Sequence, residues 1–267
     1  MTAPPEPPEP PEPQRRILVA VDIERYSRRE NLQQYRIQHD LRRALAEACD
    51  RLGLRRGDWL TQAGGDGELA VLPAGTSEPR VVARLATTLD ALLRERNRDL
   101  AAELRLRLRV AVHVGLVHVD GANGFPGSAA VTVCRIVDAA PLKRALAAFP
   151  AAGAALIVSE QVYDDVVAQR YEDLRPEGYT RIRVELPDKD FAAVAWITVP
   201  GEPAADVARV LPDLLPEPAA PTSPVPSAPA APARPGGGFS FGNLTTNGPA
   251  AFGENSRAVS GLPEVPR

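Results

Sequence analysis

The stretch ILVAVD, residues 17–22, runs five consecutive apolar residues straight into a carboxylate. Such an unbroken run reads as a strand buried on both faces, the kind found inside a sheet that is covered above and below. A charge at the end of a buried strand is costly unless something pairs with it. Asp22 therefore either caps the turn that follows or holds a cation.

Proline limits how much of the chain can share that core. Seven of the 28 prolines fall in the first 13 residues, and fourteen more lie from Pro200 onward. Tracts such as PPEPPEPPEP and EPAAPTSPVPSAPAAPARPGGG bury too little apolar surface to fold and favour extended, solvated chain. The expected organisation is a Pro/Glu-rich N-terminus over residues 1–13, one domain over 14–199, a Pro/Ala-rich linker over 200–238 and a Gly/Asn-containing tail over 239–267. A domain of that size suits a single hydrophobic core. The net charge of −3 argues against nucleic-acid binding driven by bulk electrostatics. Cys49 and Cys134 sit in no metal-ligand or redox spacing, so both are expected as buried, reduced thiols. No run of 18 apolar residues occurs, and the N-terminus is not a basic-then-apolar signal. The expectation is a cytoplasmic protein with neither a membrane nor a nucleic-acid partner.

Beyond the first strand, Ser27 and Glu30 have the spacing of a capping box. Leu32, Tyr35, Leu41, Leu45, Ala48 and Leu52 follow at helical spacing, and Gly53 ends the helix. DWLTQA and ELAVLP flank the turn GGDG and read as a hairpin. Residues 78–99 read as a second amphipathic helix. LRLRLRVAVHVGLVHV alternates over residues 104–119 as one long strand. A third helix is expected through AVTVCRIVDAAPLKRAL, then a strand ALIVS, a short helix capped by Ser159, and strands TRIRVEL and AAVAWITV. The order predicts an α/β (α+β) fold, a ferredoxin-like βαββαβ core with extra C-terminal strands and helices packed against a mixed sheet.

Asp22 ends the first strand and Asp66 sits at the hairpin tip. If those strands are neighbours, both carboxylates reach one edge of the sheet. Two close carboxylates repel unless a cation lies between them, and Mg²⁺ favours one or two carboxylates together with phosphate oxygens. The plain alternatives are a helix cap for Asp22 and, for Asp66, the Asp-Gly pair that hairpin turns prefer.

VDIERYS, GGDGELAVL, RVAVHVG and ALIVSEQVYDDVV occur in an order and spacing that resemble the class III nucleotidyl cyclase homology domain, the adenylate and guanylate cyclase family. The resemblance spans about residues 17–199. It implies Asp22 and Asp66 as ligands of Mg²⁺ or Mn²⁺, with the Ile23 carbonyl assisting, and it places Gln62, Gly65 and Ile23 against substrate. It implies Arg135 as the arginine that stabilises the transition state, acting across the interface of a homodimer on a nucleoside triphosphate. Three positions depart from the family pattern. Val131 stands four residues before Arg135 where the family has asparagine, Gln62 replaces the purine-selecting lysine, and Gly124 falls where a base-reading aspartate is usual. A valine cannot orient a ribose and a glycine offers no side chain to a base edge, although Gln62 can donate to a base carbonyl.

Arg105, Arg107 and Arg109 share one strand face and read as a solvated or dimer-contact surface. Lys143 and Arg144 read as surface charges, and His113 as a packing or dimer-contact residue. No P-loop or Ser-His-Asp arrangement is visible. The tail, with FGN at 241–243 and FGEN at 252–255, resembles short amyloid-type bacterial signalling motifs that recruit an effector protein, or is a disordered end. Two functions follow: a cyclase forming a cyclic mononucleotide in signalling, or an inactive cyclase-like nucleotide sensor or scaffold that recruits effectors through the tail.

Overall fold

The computed structural model describes residues 11–211 together with 214 and 215. The expected tail and most of the expected linker and N-terminus lie outside the described residues. Among the described residues one seven-stranded sheet forms in the order β2-β3-β1-β4-β5-β7-β6. Its strands are β1 Gln14–Ile23, β2 Leu60–Ala63, β3 Gly67–Val71, β4 Leu108–Val117, β5 Ala154–Ser159, β6 Thr180–Leu186 and β7 Phe191–Thr198. The first four strands, with α1 Asn31–Arg51 and α2 Glu78–Asn97, make a βαββαβ unit in which every neighbouring pair is antiparallel. β5 then adds parallel to β4, and β7 and β6 add antiparallel beyond it. The fold is the mixed α/β sheet that the strand and helix order predicts.

Alternation along β1 explains its continuous apolar run. Ile17, Val19, Val21 and Ile23 bury into one cluster with α1 and α2, while Leu18 and Ala20 bury into the other with α3 Ser128–Val137 and α4 Ala140–Ala148. Asp22 belongs to the second face by the same period of two. α5, Ala204–Arg209, lies within the stretch read as the start of the linker, and its Val207 and the following Leu211 are buried in that second cluster. Leu215 then donates its amide to the Arg181 carbonyl on the β6 edge at 3.2 Å.

Several elements depart from the sequence reading. Arg25 adopts a left-handed conformation (φ 56°) and turns residues 26–28 into a short 3-10 helix, so the capping box forms at Glu30 and Gln33 rather than at Ser27. The buried stripe of α1 begins only at Ile37, and Leu32 and Tyr35 are exposed. The long alternating strand starts at Leu108. Upstream, both backbone groups of Leu106 are taken by the Asn97 side chain, at 2.8 and 3.0 Å, and pair with no neighbouring strand. The third helix is two helices. Pro141 lacks an N–H and its ring opposes a continuous helix, so the chain restarts at Ala140 after an extended Ala139. His113 packs as expected, with its Nδ1 2.8 Å from the Ser159 hydroxyl.

Asp90 is buried on α2 without being part of the apolar pattern. Its carboxylate accepts from the amides of Gly153 (2.7 Å) and Ala154 (3.1 Å) and from Arg94 Nε (2.6 Å), fixing where β5 starts against α2. Asp90→Ala leaves two buried amides without acceptors and is expected to cost about 3 kcal/mol in urea denaturation. A loss below about 1 kcal/mol would show that water replaces the carboxylate there.

Candidate functional site

The register of the sheet builds the site. β1 pairs with β3 so that Asp22 lies opposite Gly67, and with β4 so that Asp22 lies opposite Arg109. The Ile23 amide donates to the Asp66 carbonyl at 2.7 Å, which pulls the hairpin tip onto the end of β1. Gly67 makes this possible, because a Cβ there would stand 1.9 Å from the Val21 carbonyl oxygen. From the other side, Gln38 of α1 donates to the Gly65 carbonyl at 2.7 Å and to the Tyr26 hydroxyl at 2.8 Å. The two acids thus converge at one edge of the sheet.

Two grooves meet there, of about 390 and 410 Å3, and Asp22, Asp66 and Asp138 line both. Gln62, Cys134 and Lys189 line the first, while Ile23, Arg109 and Lys143 line the second. Gly65 and Arg135 line neither. The Gly65 carbonyl is held by Gln38, and Arg135 sits on α3 with its Nη1 buried and without a hydrogen-bond partner among the described residues. Gly124 has φ 105°, and a Cβ on it would come 2.4 Å from Gln62 Oε1. The side chain of Gln62 therefore fills the space that a larger residue at 124 would take.

Burial is the largest influence on Asp22 and pushes its carboxyl up from 3.8 to about 6; Arg109 pulls it down, Asp66 pushes it up and Lys143 pulls it down. Arg109 forms an ion pair with Asp22 Oδ2, whereas Oδ1 is buried with no hydrogen-bond partner among the described residues. An orphaned carboxylate oxygen beside a second carboxylate is a donor set that suits a hard divalent cation. Among the described residues no group of three or more His, Cys, Asp and Glu is gathered for a metal, so phosphate or water oxygens would have to complete the shell. Asp138 is already satisfied. Burial pushes it up, but Lys143 and Lys189 outweigh that and hold it below the usual carboxylate range; Lys143 bonds Oδ1 and Lys189 lies 3.5 Å from Oδ2.

Several of these residues escaped the sequence reading. Arg109 is Asp22's counter-charge and Arg107 is buried, so neither belongs to a solvated face. Lys143 is exposed, as expected of a surface charge, and it also lines the groove. Cys134 is exposed rather than buried. The sequence signal for Arg109 was its place in an alternating strand next to β1. Asp138 and Lys189 gave no signal, since a helix break and a hairpin far along the chain bring them together.

No family model matches the chain, and no curated protein matches it. Solved structures do. The chain is similar to an adenylate/guanylate cyclase/hydrolase from Silicibacter pomeroyi, at 21% identity over 72% of this chain and 100% of that one, with a TM-score of 0.49. It is similar to the guanylyl cyclase Cya2 at 14% identity over 71% and 95%, with a TM-score of 0.48. It is also similar to the guanylate cyclase domain of RhGC from Catenaria anguillulae in complex with GTP, at 14% over 70% and 97%, with a TM-score of 0.45.

Because Asp22's folded-state pKa is raised, its contribution to stability is fully present below pH 3.8 and is lost as pH rises through about 6. Carbon-detected NMR of the metal-free protein should show Asp22 titrating near pH 6. Asp66→Asn should move that midpoint down and Lys143→Ala should move it up. A midpoint near the ordinary 3.8 would mean that the edge is open to water.

Proposed function

We propose that this protein binds a nucleoside triphosphate with Mg²⁺ or Mn²⁺ at the Asp22–Asp66 edge and, as a homodimer, converts it to a cyclic mononucleotide. The observation that carries the reading is the convergence of two carboxylates around a buried, unpartnered Asp22 Oδ1. Asp22 and Asp66 would hold the ion, with the Ile23 carbonyl assisting. Bound there, a divalent cation supplies positive charge that acidifies the 3′-hydroxyl and steadies the leaving phosphates.

The reaction forms a bond from the 3′-oxygen to the α-phosphorus and breaks the bond from that phosphorus to the β-phosphate bridging oxygen. The hydroxyl proton is released and pyrophosphate leaves. Lys143 and Arg109, each paired with a carboxylate of the site, line the groove that the phosphates would occupy and could turn to them once a cation takes up Asp22. Arg135 lines neither groove of its own chain, which fits a role on substrate held by a partner. Gln62 lines the groove with an amide able to hydrogen-bond a base.

A second reading keeps the binding and drops the chemistry. Gly124 offers no side chain, its space is filled by Gln62, and Val131 is half exposed on α3 where a ribose-orienting amide would be needed. On this reading the domain is a nucleotide sensor or scaffold, with effectors recruited through residues 239–267. Signalling in the cytoplasm suits either reading. Among the described residues no helix is long and apolar enough to cross a membrane.

Incubation of the full chain with each of the four NTPs and Mn²⁺, followed by chromatography, separates the readings. Cyclic product and pyrophosphate, lost by at least a hundredfold in Asp66→Ala, are expected of a cyclase that depends on this ion site. Triphosphate binding without turnover would establish the sensor. Absence of any metal-dependent nucleotide binding would overturn both.

A further inference from the structure

A separate cavity of about 370 Å3 lies behind the turn at residues 24–29, and arginine dominates its walls. Arg25, Arg28, Arg29, Arg105 and Arg107 line it, against two carboxylates, Glu24 and Glu103. Glu24 is spent on Arg107, whose Nη1 lies 2.9 Å from Glu24 Oε2. Among the described residues no carboxylate lies within ion-pair reach of the other four, so Glu103 alone opposes them and the walls carry a net charge of +3.

Two of the five arginines, Arg107 and Arg29, are built into the wall, whereas Arg25 and Arg28 are exposed at its mouth. Arg107 is buried, and its guanidinium donates to the carbonyls of Ala152 (2.9 Å), Phe149 (2.9 Å) and Leu146. Arg29 donates to the carbonyls of Glu103 (2.5 Å) and Arg105 (2.7 Å), while its Nε is buried with no hydrogen-bond partner among the described residues. Burial lowers the pKa of Arg107; Glu24 opposes this, and Arg25 and Arg105 add to it. Packing like charges side by side in a partly dry cavity is unfavourable unless an anion joins them. Carbonyls neutralise no charge. Guanidinium forks match the paired oxygens of a phosphate better than any other side chain does.

We propose that this cavity is a second, anion-binding site that takes a diphosphate group, either free or on a nucleotide. The 24–29 turn is its shared wall with the Asp22 groove, since Glu24, Arg25 and Arg28 line both, whereas Arg29, Arg105 and Glu103 line the cavity and not that groove. The proposal does not depend on cyclase chemistry.

The test is calorimetric titration of the full chain with inorganic pyrophosphate and, separately, with ADP, in low salt and EDTA so that no divalent ion can bridge phosphate to Asp22. Binding is expected for pyrophosphate, weakened about tenfold by Arg105→Ala, the loss of one charge-assisted contact. Glu103→Gln is expected to tighten it about threefold by removing the opposing charge, an effect that a merely structural role would not give. Asp66→Asn should leave it unchanged. Tighter binding of ADP than of pyrophosphate would identify a nucleotide as the ligand, and equal binding the diphosphate alone. The proposal fails if pyrophosphate does not bind at millimolar concentration. It fails equally if binding survives Arg105→Ala and Glu103→Gln unaltered, or is lost in Asp66→Asn.

Discussion

The register of β1 between β3 and β4 is the constraint on which the rest of this structure depends. One side of the strand sets Asp22 against Gly67 and so beside Asp66; the other sets it against Arg109. A slip of one residue would turn Asp22 toward α1 and α2 and its neighbours toward α3, exchanging every side chain between the two clusters. The apolar run before Asp22 is what forbids that slip, because both faces of β1 are buried. Gly67 then allows a backbone approach that no other residue could make. The core and the site are thus fixed by the same pairing.

Charge around the edge is distributed unevenly, and the unevenness has direction. Asp138 is satisfied twice over by Lys143 and Lys189. Asp22 is satisfied on one oxygen and left bare on the other, in a place dry enough to raise its pKa. On the far side of the 24–29 turn the imbalance reverses, and arginines outnumber carboxylates. One short segment, bent by the left-handed Arg25, therefore divides a groove in which Asp22 keeps a bare oxygen from a cavity in which arginines outnumber carboxylates.

Much of the framework was legible because period and punctuation are local properties. The β1 run, the GGDG hairpin, α2, β5 and the last two strands follow from apolar spacing and glycine, and the convergence of Asp22 and Asp66 follows once β1 and β3 are neighbours. The failures come from side chains that override local pattern. Asn97 removed Leu106 from the long strand by taking both its backbone groups. Pro141 split a helix whose apolar spacing ran straight through it. Arg107 looked solvated by alternation, yet three carbonyls and Glu24 hold it inside. Gln38 and Lys189 reach the site from elements remote in sequence, and periodicity carries no record of such contacts.

The central claim is that Asp22 and Asp66 together form a divalent-cation site. Anomalous diffraction from crystals soaked in Mn²⁺ with a non-hydrolysable triphosphate analogue tests it directly. The account predicts a manganese peak within coordination distance of both carboxylates. A peak held by other residues, or carboxylates that turn apart with no ion between them, would contradict it.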